Sequence, residues 1–394
     1  MIFPLRDNRI TMYNNLYTSC IPNPFVFSIF TLNSACMKYR VILLFLVLLA
    51  ACKPSHQLDT GFMRGFVDTI GFAHLDWQMD SVVARIERSG LDSLGSHCKG
   101  EAPLLMAICP HDDYTYAGPF YYSMLKDVKA KTIILFGVAH KARALGISNK
   151  IVFGTYGYWK EPYGRLPISD FQEKLMGELD TSQYMVNDSM QKAEHSLEAI
   201  IPFLQHFNRN IEIVPILVPA IPFDKMRAVA KTLAAAIGKE AQKRKMVWGK
   251  DYALVISTDA VHYGDEDWGG KNYAPFGADT VGYWMAVDHE KEIMRNCLLG
   301  ILDTAKCREF ARYTVDPKDY REYKWTWCGR YSVPFGLLTG YELASSLGTS
   351  LTGCIYGYGT SIDHAHIPVS DLHMGITAPA KLRHWVGYAA AGYR

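Results

Sequence analysis

The stretch that decides the fold is PLLMAICPH, residues 103–111, taken together with TIILFGVAH, residues 132–140. Each stretch carries a short apolar run and ends at a histidine. Apolar runs of this length are typical of strands that are buried on both faces of a sheet. A histidine directly after such a strand lies at its carboxyl end, where ligands bind in open α/β sheets. The two stretches therefore predict a buried sheet with a polar site along one edge.

Strands and helices alternate through the rest of the chain. Residues 75–91 have helical periodicity, with an apolar side made of Leu75, Met79, Val82, Val83 and Ile86. Further helices are predicted for residues 120–128, 168–179, 195–207, 223–244 and 332–348, and further strands for 211–220, 252–264, 352–361 and 384–393. This alternation predicts an α/β fold with a central, mostly buried β-sheet flanked by helices. Because no linker interrupts it, we expect a single domain over residues 66–394.

The composition excludes one class of function. The chain has 394 residues, of which 49% are hydrophobic and 20% are charged, as is usual for a globular protein. Its net charge is only +2, and it contains no long basic run. A nucleic-acid-binding protein needs a basic face to neutralise phosphates. We therefore expect no nucleic-acid partner.

The residues from Met37 onward predict export. Lys38 and Arg40 precede the apolar run 41–51, which is shorter than the roughly 20 residues that a membrane-spanning helix requires. Residues 37–51 are therefore interpreted as a lipoprotein signal peptide.

The signal peptide ends in Leu-Ala-Ala before Cys52, which resembles the bacterial lipobox. We expect Cys52 to carry a lipid that anchors the protein in the bacterial cell envelope. Residues 1–36 are interpreted as an over-long gene start and residues 52–65 as a tether to the membrane. An exported protein meets an oxidising compartment, where disulfides are permitted. Sequence alone does not assign partners among the remaining cysteines, Cys98, Cys109, Cys297, Cys307, Cys328 and Cys354.

Three histidines follow predicted strands, and an aspartate accompanies the last of them. His111 and His140 end the two stretches quoted above, and Asp259 and His262 follow the apolar part of the strand predicted to begin at residue 252. Imidazole nitrogen binds Fe, Cu and Zn alike. Three histidines at strand ends therefore predict a metal site rather than isolated structural histidines.

Cys328 is a further candidate, in the segment KWTWCGRYSVPFG at residues 324–336. It lies just before a predicted helix and two residues before Arg330. A helix N-terminus and a neighbouring cation both favour the thiolate form of cysteine, which is the form that binds metals. The alternatives are a small buried apolar residue or one half of a disulfide.

The chain resembles a known family. The resemblance is carried by segments in a fixed order, CPHDDYTYAG (109–118), FGVAH (136–140), EPYGRLPISD (161–170), EHSLEAIIPFLQ (194–205), IVPILVPA (213–220), STDAVHYG (257–264), WCGRYSVPFGLL (327–338) and VGYAAAG (386–392). Their order and spacing resemble the Memo family, also known as AmmeMemoRadiSam system protein B, from about residue 71 to about residue 392. The resemblance implies a fold like that of the class III extradiol dioxygenases.

The resemblance also implies site residues and partners. The family's metal-site histidines fall on His111 and His140, and its cysteine falls on Cys328. The Asp and His of its SSD…H pattern fall on Asp259 and His262. Radical-SAM and AMMECR1-like proteins are the partners that the family name implies. The histidine of the family's EHS pattern falls on His195.

Two departures from the family pattern concern the site. The chain has Asp112 and Asp113 where small residues are usual, and these carboxylates are either additional hard oxygen ligands or part of a solvated turn. The segment GVAH replaces GPSH, so a hydroxyl next to His140 is lost.

Three functions stay open at this stage. The first is a metal-dependent redox or oxygenase-type enzyme that holds one transition-metal ion, Fe(II) or Cu with Zn as the alternative, through His111, His140 and Cys328. The second replaces the thiolate by Asp259, which gives the two-histidine, one-carboxylate Fe(II) centre of an extradiol dioxygenase that acts on a small aromatic. The third is a non-catalytic binding module.

The two enzymatic hypotheses share the same catalytic residues and the same cleft. The sequence does not identify the small-molecule substrate. His195 or His262 is expected to transfer the proton, and Asp259 is expected to be a third catalytic residue. Other residues of the cleft are expected to be Asp112, Asp113, Tyr116 and Arg330. Tyr114, Tyr116 and Trp327 either line an aromatic pocket or pack in the core.

Overall fold

The computed structural model describes residues 59–98, 100 and 102–394. The expected gene start, the signal peptide and Cys52 lie outside the described residues. No described helix is both long and apolar enough to cross a membrane.

The described residues belong to one compact unit. Its helices are α1 (Asp76–Ser89), α2 (Tyr114–Leu125), α3 (Phe171–Glu178), α4 (Asp188–Lys192), α5 (Ile201–Phe207), α6 (Phe223–Arg244), α7 (Thr280–Cys297), α8 (Thr304–Thr314) and α9 (Ser332–Ser346). Its strands are β1 (Asp59–Arg64), β2 (Met106–Cys109), β3 (Thr132–Val138), β4 (Ile151–Phe153), β5 (Tyr156–Glu161), β6 (Gly164–Pro167), β7 (Tyr184–Val186), β8 (Glu212–Val218), β9 (Tyr252–Ser257), β10 (His262–Gly264), β11 (Gly300–Ile301), β12 (Thr352–Thr360) and β13 (His384–Tyr393). The predicted α/β class is confirmed.

A large mixed sheet runs through the centre of the molecule. Its strand order is β11-β12-β13-β2-β9-β3-β8-β4-β7, and β10 pairs with β13. Strands β2, β9, β3 and β8 are parallel neighbours, whereas β12 and β13 are antiparallel additions on one side. The carboxyl ends of β2, β9 and β3 therefore meet at one edge.

The central strands are buried on both faces, as their apolar runs predicted. Alternate side chains enter two separate hydrophobic clusters, because successive residues of a strand point to opposite faces. Ile134 and Phe136 of β3 pack in one cluster, while Ile133 and Leu135 pack in the other. Helices therefore cover both faces of the sheet, so polar side chains can gather at its edges.

Residues 59–64 form strand β1 and are not part of the tether expected for residues 52–65. It pairs in parallel with β5 in a second sheet of order β1-β5-β6. Arg64 at its end is buried and forms an ion pair with Glu198, with Nη1 and Oε2 2.7 Å apart. The folded part of the chain therefore begins before residue 66, and only residues 52–58 of the expected tether lie outside the described structure.

Several predicted helices begin at other residues than expected. Helix α2 begins at Tyr114 rather than at residue 120, and α3 begins at Phe171 rather than at residue 168. Helix α1 begins at Asp76, so Leu75 is its N-cap and is 50% exposed instead of joining the apolar side. Helix α5 begins at Ile201 rather than at residue 195. The backbone N–H groups of His195 and Ser196 donate to the Glu194 carboxylate, which holds this segment in a turn before the helix.

A disulfide joins Cys98 to Cys354 of β12, across 256 residues of sequence. The other cysteines of the described chain, Cys109, Cys297, Cys307 and Cys328, are buried and free.

Candidate metal centre

The predicted site residues lie at the edge where three parallel strands end. His111 follows β2, Asp259 follows β9 and His140 follows β3. Two loops complete the group, because His195 lies between α4 and α5 and Cys328 lies just before α9. Strand order alone therefore brings distant parts of the sequence to one place.

The hydrogen bonds of His111 determine which of its nitrogens is free. The Ser257 hydroxyl donates to the Ser196 carbonyl at 2.7 Å, so it accepts a hydrogen bond from His111 Nδ1, 2.8 Å away. The proton is thus on Nδ1, and Nε2 carries the lone pair. Nε2 lies 3.3 Å from Cys328 Sγ and 3.5 Å from Asp259 Oδ2.

His140 is oriented in the same way by a carboxylate. Its Nδ1 and its backbone N–H both lie 2.8 Å from the Glu194 carboxylate. Burial opposes ionisation of Glu194, but His140 and other neighbours outweigh it and hold the pKa of this carboxyl at about 2. The ionised Glu194 carboxylate accepts a hydrogen bond from His140 Nδ1, so Nε2 is again the nitrogen left for other contacts.

Cys328 is packed tightly against the end of β9. Its Sγ accepts a hydrogen bond from the Asp259 backbone N–H at 3.1 Å. A Cβ on Gly329 would lie 2.2 Å from the Thr258 hydroxyl, so only glycine permits this approach. Burial, followed by the nearby Asp259, raises the pKa of the thiol well above its usual value.

The expectation that Arg330 favours the thiolate is wrong. The Arg330 guanidinium instead stacks over Tyr323 and donates to the Arg321 carbonyl. Without a metal, Cys328 is therefore a neutral thiol.

Asp259 and His262 lie beside this group. Asp259 Oδ1 accepts the His111 backbone N–H at 2.8 Å, and burial raises the pKa of Asp259 well above its usual value. His262 Nε2 is buried without a hydrogen-bond partner, 3.9 Å from Asp259 Oδ2. Burial and the nearby His140 lower the pKa of His262 to about 3, so its ring is neutral with one unused nitrogen.

Two overlapping groups of ligand atoms have the spacing of a metal site. The ligand atoms of His111, His140 and His195 lie within 4.8 Å of one another, and so do those of His111, Asp259 and Cys328. His111 belongs to both groups. The predicted ligand set of His111, His140 and Cys328 is thus divided between two groups that share one residue.

The site opens into a cavity of about 470 Å³. The lining includes His111, His140, His195, Asp259, His262, Asp112, Asp113 and Tyr116. A second cavity lies on the Cys328 side and is lined by His140, Cys328 and Arg330 among others. His140 borders both cavities, and Arg330 belongs to the second rather than to the main cleft.

Asp112 and Asp113 are hydrogen-bonded within the protein. The Tyr388 hydroxyl donates to Asp112 Oδ2 at 2.6 Å, and the backbone and hydroxyl of Thr377 both donate to the Asp113 carboxylate. Burial, followed by the charge of Asp112, raises the pKa of Asp113 to about 7. Asp113 is only 2% exposed, so a solvated turn is the wrong description of it.

The aromatic candidates separate into two kinds. Tyr116 lines the main cavity, and its hydroxyl donates to the Ala378 carbonyl at 3.1 Å. Tyr114 and Trp327 are fully buried core residues, as the hydroxyl of Tyr114 donates to the Ala199 carbonyl and the indole of Trp327 donates to Glu290. Neither lines the cavity.

Sequence reasoning missed the residues that orient the candidate ligands. Glu194 directly precedes His195 and Ser257 ends β9, and each fixes one histidine. Glu290 accepts the indole N–H groups of Trp325 and Trp327 and the backbone N–H of Val261. It thereby connects the segment of Cys328 to that of His262. The only signal in the sequence was the glutamate of the EHS segment.

His195 has the surroundings of a site residue rather than a core residue. Its ring stacks on that of His140 with centroids 4.8 Å apart, and 39% of its side chain is exposed. Desolvation and the neighbouring His140 lower the pKa of His195 to about 4, so the ring is neutral at pH 7.

We expect His195→Ala to change the free energy of unfolding by no more than about 1 kcal/mol, because little packing is lost. Chemical denaturation measures this change. A loss of several kcal/mol would identify His195 as a structural residue.

The chain is similar in sequence to known proteins. A model of the family described as Memo-like protein matches residues 75–366. Among curated relatives, the MEMO1 family protein of Sulfolobus acidocaldarius is 31% identical over 165 residues, 41% of this chain and 54% of the relative. That of Sulfurisphaera tokodaii is 28% identical over 204 residues, 48% of this chain and 67% of the relative.

The MEMO1 family protein of Thermotoga maritima is 29% identical over 164 residues, 40% of this chain and 54% of the relative. The chain thus spans about half the length of most of these relatives. The family model covers well over half of this chain, including every candidate ligand. The chain therefore belongs to the Memo family.

Proposed function

We propose that this protein binds one transition-metal ion through His111, His140 and Cys328 and uses it for redox or oxygenase-type chemistry on a small molecule. The observation that carries the proposal is the arrangement of the two histidines. Each has its Nδ1 fixed by a hydrogen bond, to Ser257 or to Glu194, and keeps Nε2 free. Metal-binding histidines usually have such a second hydrogen bond.

The donor set fits a transition metal better than Mg²⁺ or Ca²⁺. Two imidazoles and a thiol are nitrogen and sulfur donors, whereas the hard cations prefer oxygen. Imidazole binds Cu, Fe and Zn, and a thiolate shifts the preference toward Cu(I) and Zn. When bound, the ion would supply Lewis acidity, or electron transfer in the case of Cu or Fe.

The neighbouring histidines supply acid–base chemistry. His262 lines the cavity and has a buried Nε2 without a hydrogen-bond partner, so this nitrogen can contact a substrate proton without first breaking a hydrogen bond. His195 borders the same cavity. Either residue is placed to take a proton from a substrate in the cavity.

A second candidate function is favoured by the position of Asp259. Its Oδ2 lies 3.5 Å from His111 Nε2, so it is as close to that nitrogen as a ligand of the same ion would be. Two histidines and a carboxylate form the centre of non-haem Fe(II) oxygenases. An extradiol-type dioxygenase would then consume oxygen with catechol as substrate.

The first experiment is a metal titration of the purified, metal-free protein with Cu(I), Zn(II), Co(II) and Fe(II), followed by oxygen-uptake measurements with catechol. We expect one tight site with a preference for the softer ions. Tight binding of Fe(II) together with catechol-dependent oxygen uptake would favour the dioxygenase instead. No tight binding of any of these ions would contradict both metal-dependent functions.

We further propose that the protein works in the bacterial cell envelope, anchored by a lipid on Cys52. The disulfide between Cys98 and Cys354 supports this location, because disulfides persist in oxidising compartments and are rare in the cytosol.

Replacement of Cys52 by alanine is expected to release the protein from the membrane fraction. The fold is expected to stay intact, because the residue precedes the first described strand. Fractionation and immunoblotting measure the distribution. Recovery of wild-type protein in the soluble fraction, with residues before Cys52 still attached, would contradict the proposal.

A further inference from the structure

The second cavity has an apolar wall. Its volume is about 420 Å³, large enough for a small organic molecule. Val138 and Ala139 at the end of β3, Val218 at the end of β8, and Ile147 form part of this wall. Cys328 and His140 border the same cavity, so a molecule inside it would lie beside two of the proposed metal ligands.

Cationic side chains also line the second cavity. The cavity is lined by Arg143, Lys271, Arg321 and Arg330, against one carboxylate, Glu322. Arg143 forms an ion pair with Glu322 at 2.8 Å, and Arg321 forms one with Asp319 at 2.9 Å. The charges of these two arginines are thus already compensated.

Arg330 has no such compensation. Among the residues that the structure describes, no carboxylate lies within ion-pair distance of its guanidinium, and its Nε is buried without a hydrogen-bond partner. The group is held between Tyr323, 3.5 Å from the ring centroid, and Tyr331, 4.6 Å away. Its Nη2 donates a hydrogen bond to the Arg321 carbonyl. A buried N–H without an acceptor is costly, and an anion in the cavity would supply one.

We propose that the second cavity binds the carboxylate of a small, largely apolar organic acid, with Arg330 as the group that recognises it. The proposal rests on the proposed function, because it places the body of this molecule toward His140 and Cys328. A guanidinium is planar and offers N–H groups that match a carboxylate. The apolar wall fits a hydrocarbon or aromatic body.

The test compares two probes of the same shape and different charge. 4-Fluorobenzoate carries a carboxylate, and 4-fluorobenzamide is its neutral counterpart. Binding of each is followed by ¹⁹F NMR with the metal-free and the metal-loaded protein. We expect 4-fluorobenzoate to bind at least about tenfold more tightly, as charge-assisted hydrogen bonds provide this difference.

Variants of Arg330 separate its role from the general charge of the cavity. Arg330→Met is expected to remove the preference for 4-fluorobenzoate, and Arg330→Lys to keep only part of it, because lysine is a point charge without the planar geometry. Arg143→Met is the matched control. It removes one positive charge from the same cavity, but from an arginine that is already paired with Glu322, so a change within about twofold is expected.

Two outcomes would overturn the inference. The first is equal affinity of wild type for the two probes, which requires no variant and is independent of any effect of Arg330 on folding. The second is an equal loss in Arg143→Met and Arg330→Met, which would show a general electrostatic effect. Because the metal-free protein is also titrated, failure to bind metal would contradict the proposed function and leave this comparison intact.

Discussion

Arg64→Met is expected to lower the free energy of unfolding by about 3–5 kcal/mol, the cost of leaving a buried charge without its partner. The side chains of Arg64 and Glu198 are 0% and 2% exposed, and they form an ion pair at 2.7 Å. Arg64 also donates to the carbonyls of Gln191 and Glu194, which no methionine replaces. Urea denaturation of the described domain measures the effect.

A surface ion pair provides the matched control. Arg85 pairs with Asp371, whose side chain is 65% exposed, so Arg85→Met is expected to cost no more than about 1 kcal/mol. Adding Glu198→Gln to Arg64→Met is expected to restore part of the loss, because the carboxylate is no longer charged. If Arg64→Met behaves like the surface control, residues 59–64 act as a tether and do not stabilise the fold.

Cys328→Ser is expected to abolish the sulfur-to-metal charge-transfer band of the Co(II) or Cu(II) protein. Loss of a residue that only hydrogen-bonds to a metal ligand typically weakens metal binding by about 10–100-fold. Because Cys328 is proposed to be a ligand itself, its replacement is expected to weaken binding of soft metals by more than that. Serine keeps the size of the side chain, so the packing around Gly329 and Thr258 is preserved. Optical titration of wild type and variant measures both effects.

The protonation state of Cys328 adds a pH dependence. Burial raises the pKa of the thiol, so a proton must leave when a metal binds. Protons therefore compete with the metal through the neutral range, and affinity falls as the pH is lowered. An indicator dye should detect proton release in wild type, with one proton fewer released by Cys328→Ser.

Asp259→Asn distinguishes the two candidate centres. Asparagine still offers an oxygen to the His111 backbone N–H, so the loop after β2 keeps its hydrogen bond. If Cys328 is the ligand, this variant retains its metal. If Asp259→Asn loses the metal while Cys328→Ser keeps it, the centre has two histidines and a carboxylate, and the dioxygenase function is favoured.

The sequence was sufficient to place much of the site at one edge of the sheet. His111, His140 and Asp259 each follow an apolar run, and the carboxyl ends of parallel strands meet at the same edge. The order β2-β9-β3 that makes them neighbours is a property of the whole fold, and no local pattern contains it. Cys328 was linked to them mainly by the resemblance to a family.

Other features depend on contacts that no local pattern reveals. The segment DTGFMR of β1 has no clear strand pattern, and it is fixed by pairing with β5 and by the contact of Arg64 with Glu198, 134 residues away. Periodicity identified helix α1 but not the residue at which it begins, because Leu75 fits the apolar pattern while serving as the N-cap. Glu194 lies just before the helix predicted for residues 195–207, and no local pattern indicates that its carboxylate holds His140.

The metal content of protein purified from its own host without added metal tests the central claim most directly. Elemental analysis and electron paramagnetic resonance would be applied to wild type and to His111→Ala, which removes the residue shared by both groups of ligand atoms. We predict about one Cu or Fe ion per chain in wild type, or Zn as the alternative, and loss of that ion in the variant. Metal-free wild-type protein, or an equal metal content in His111→Ala, would contradict the proposed centre.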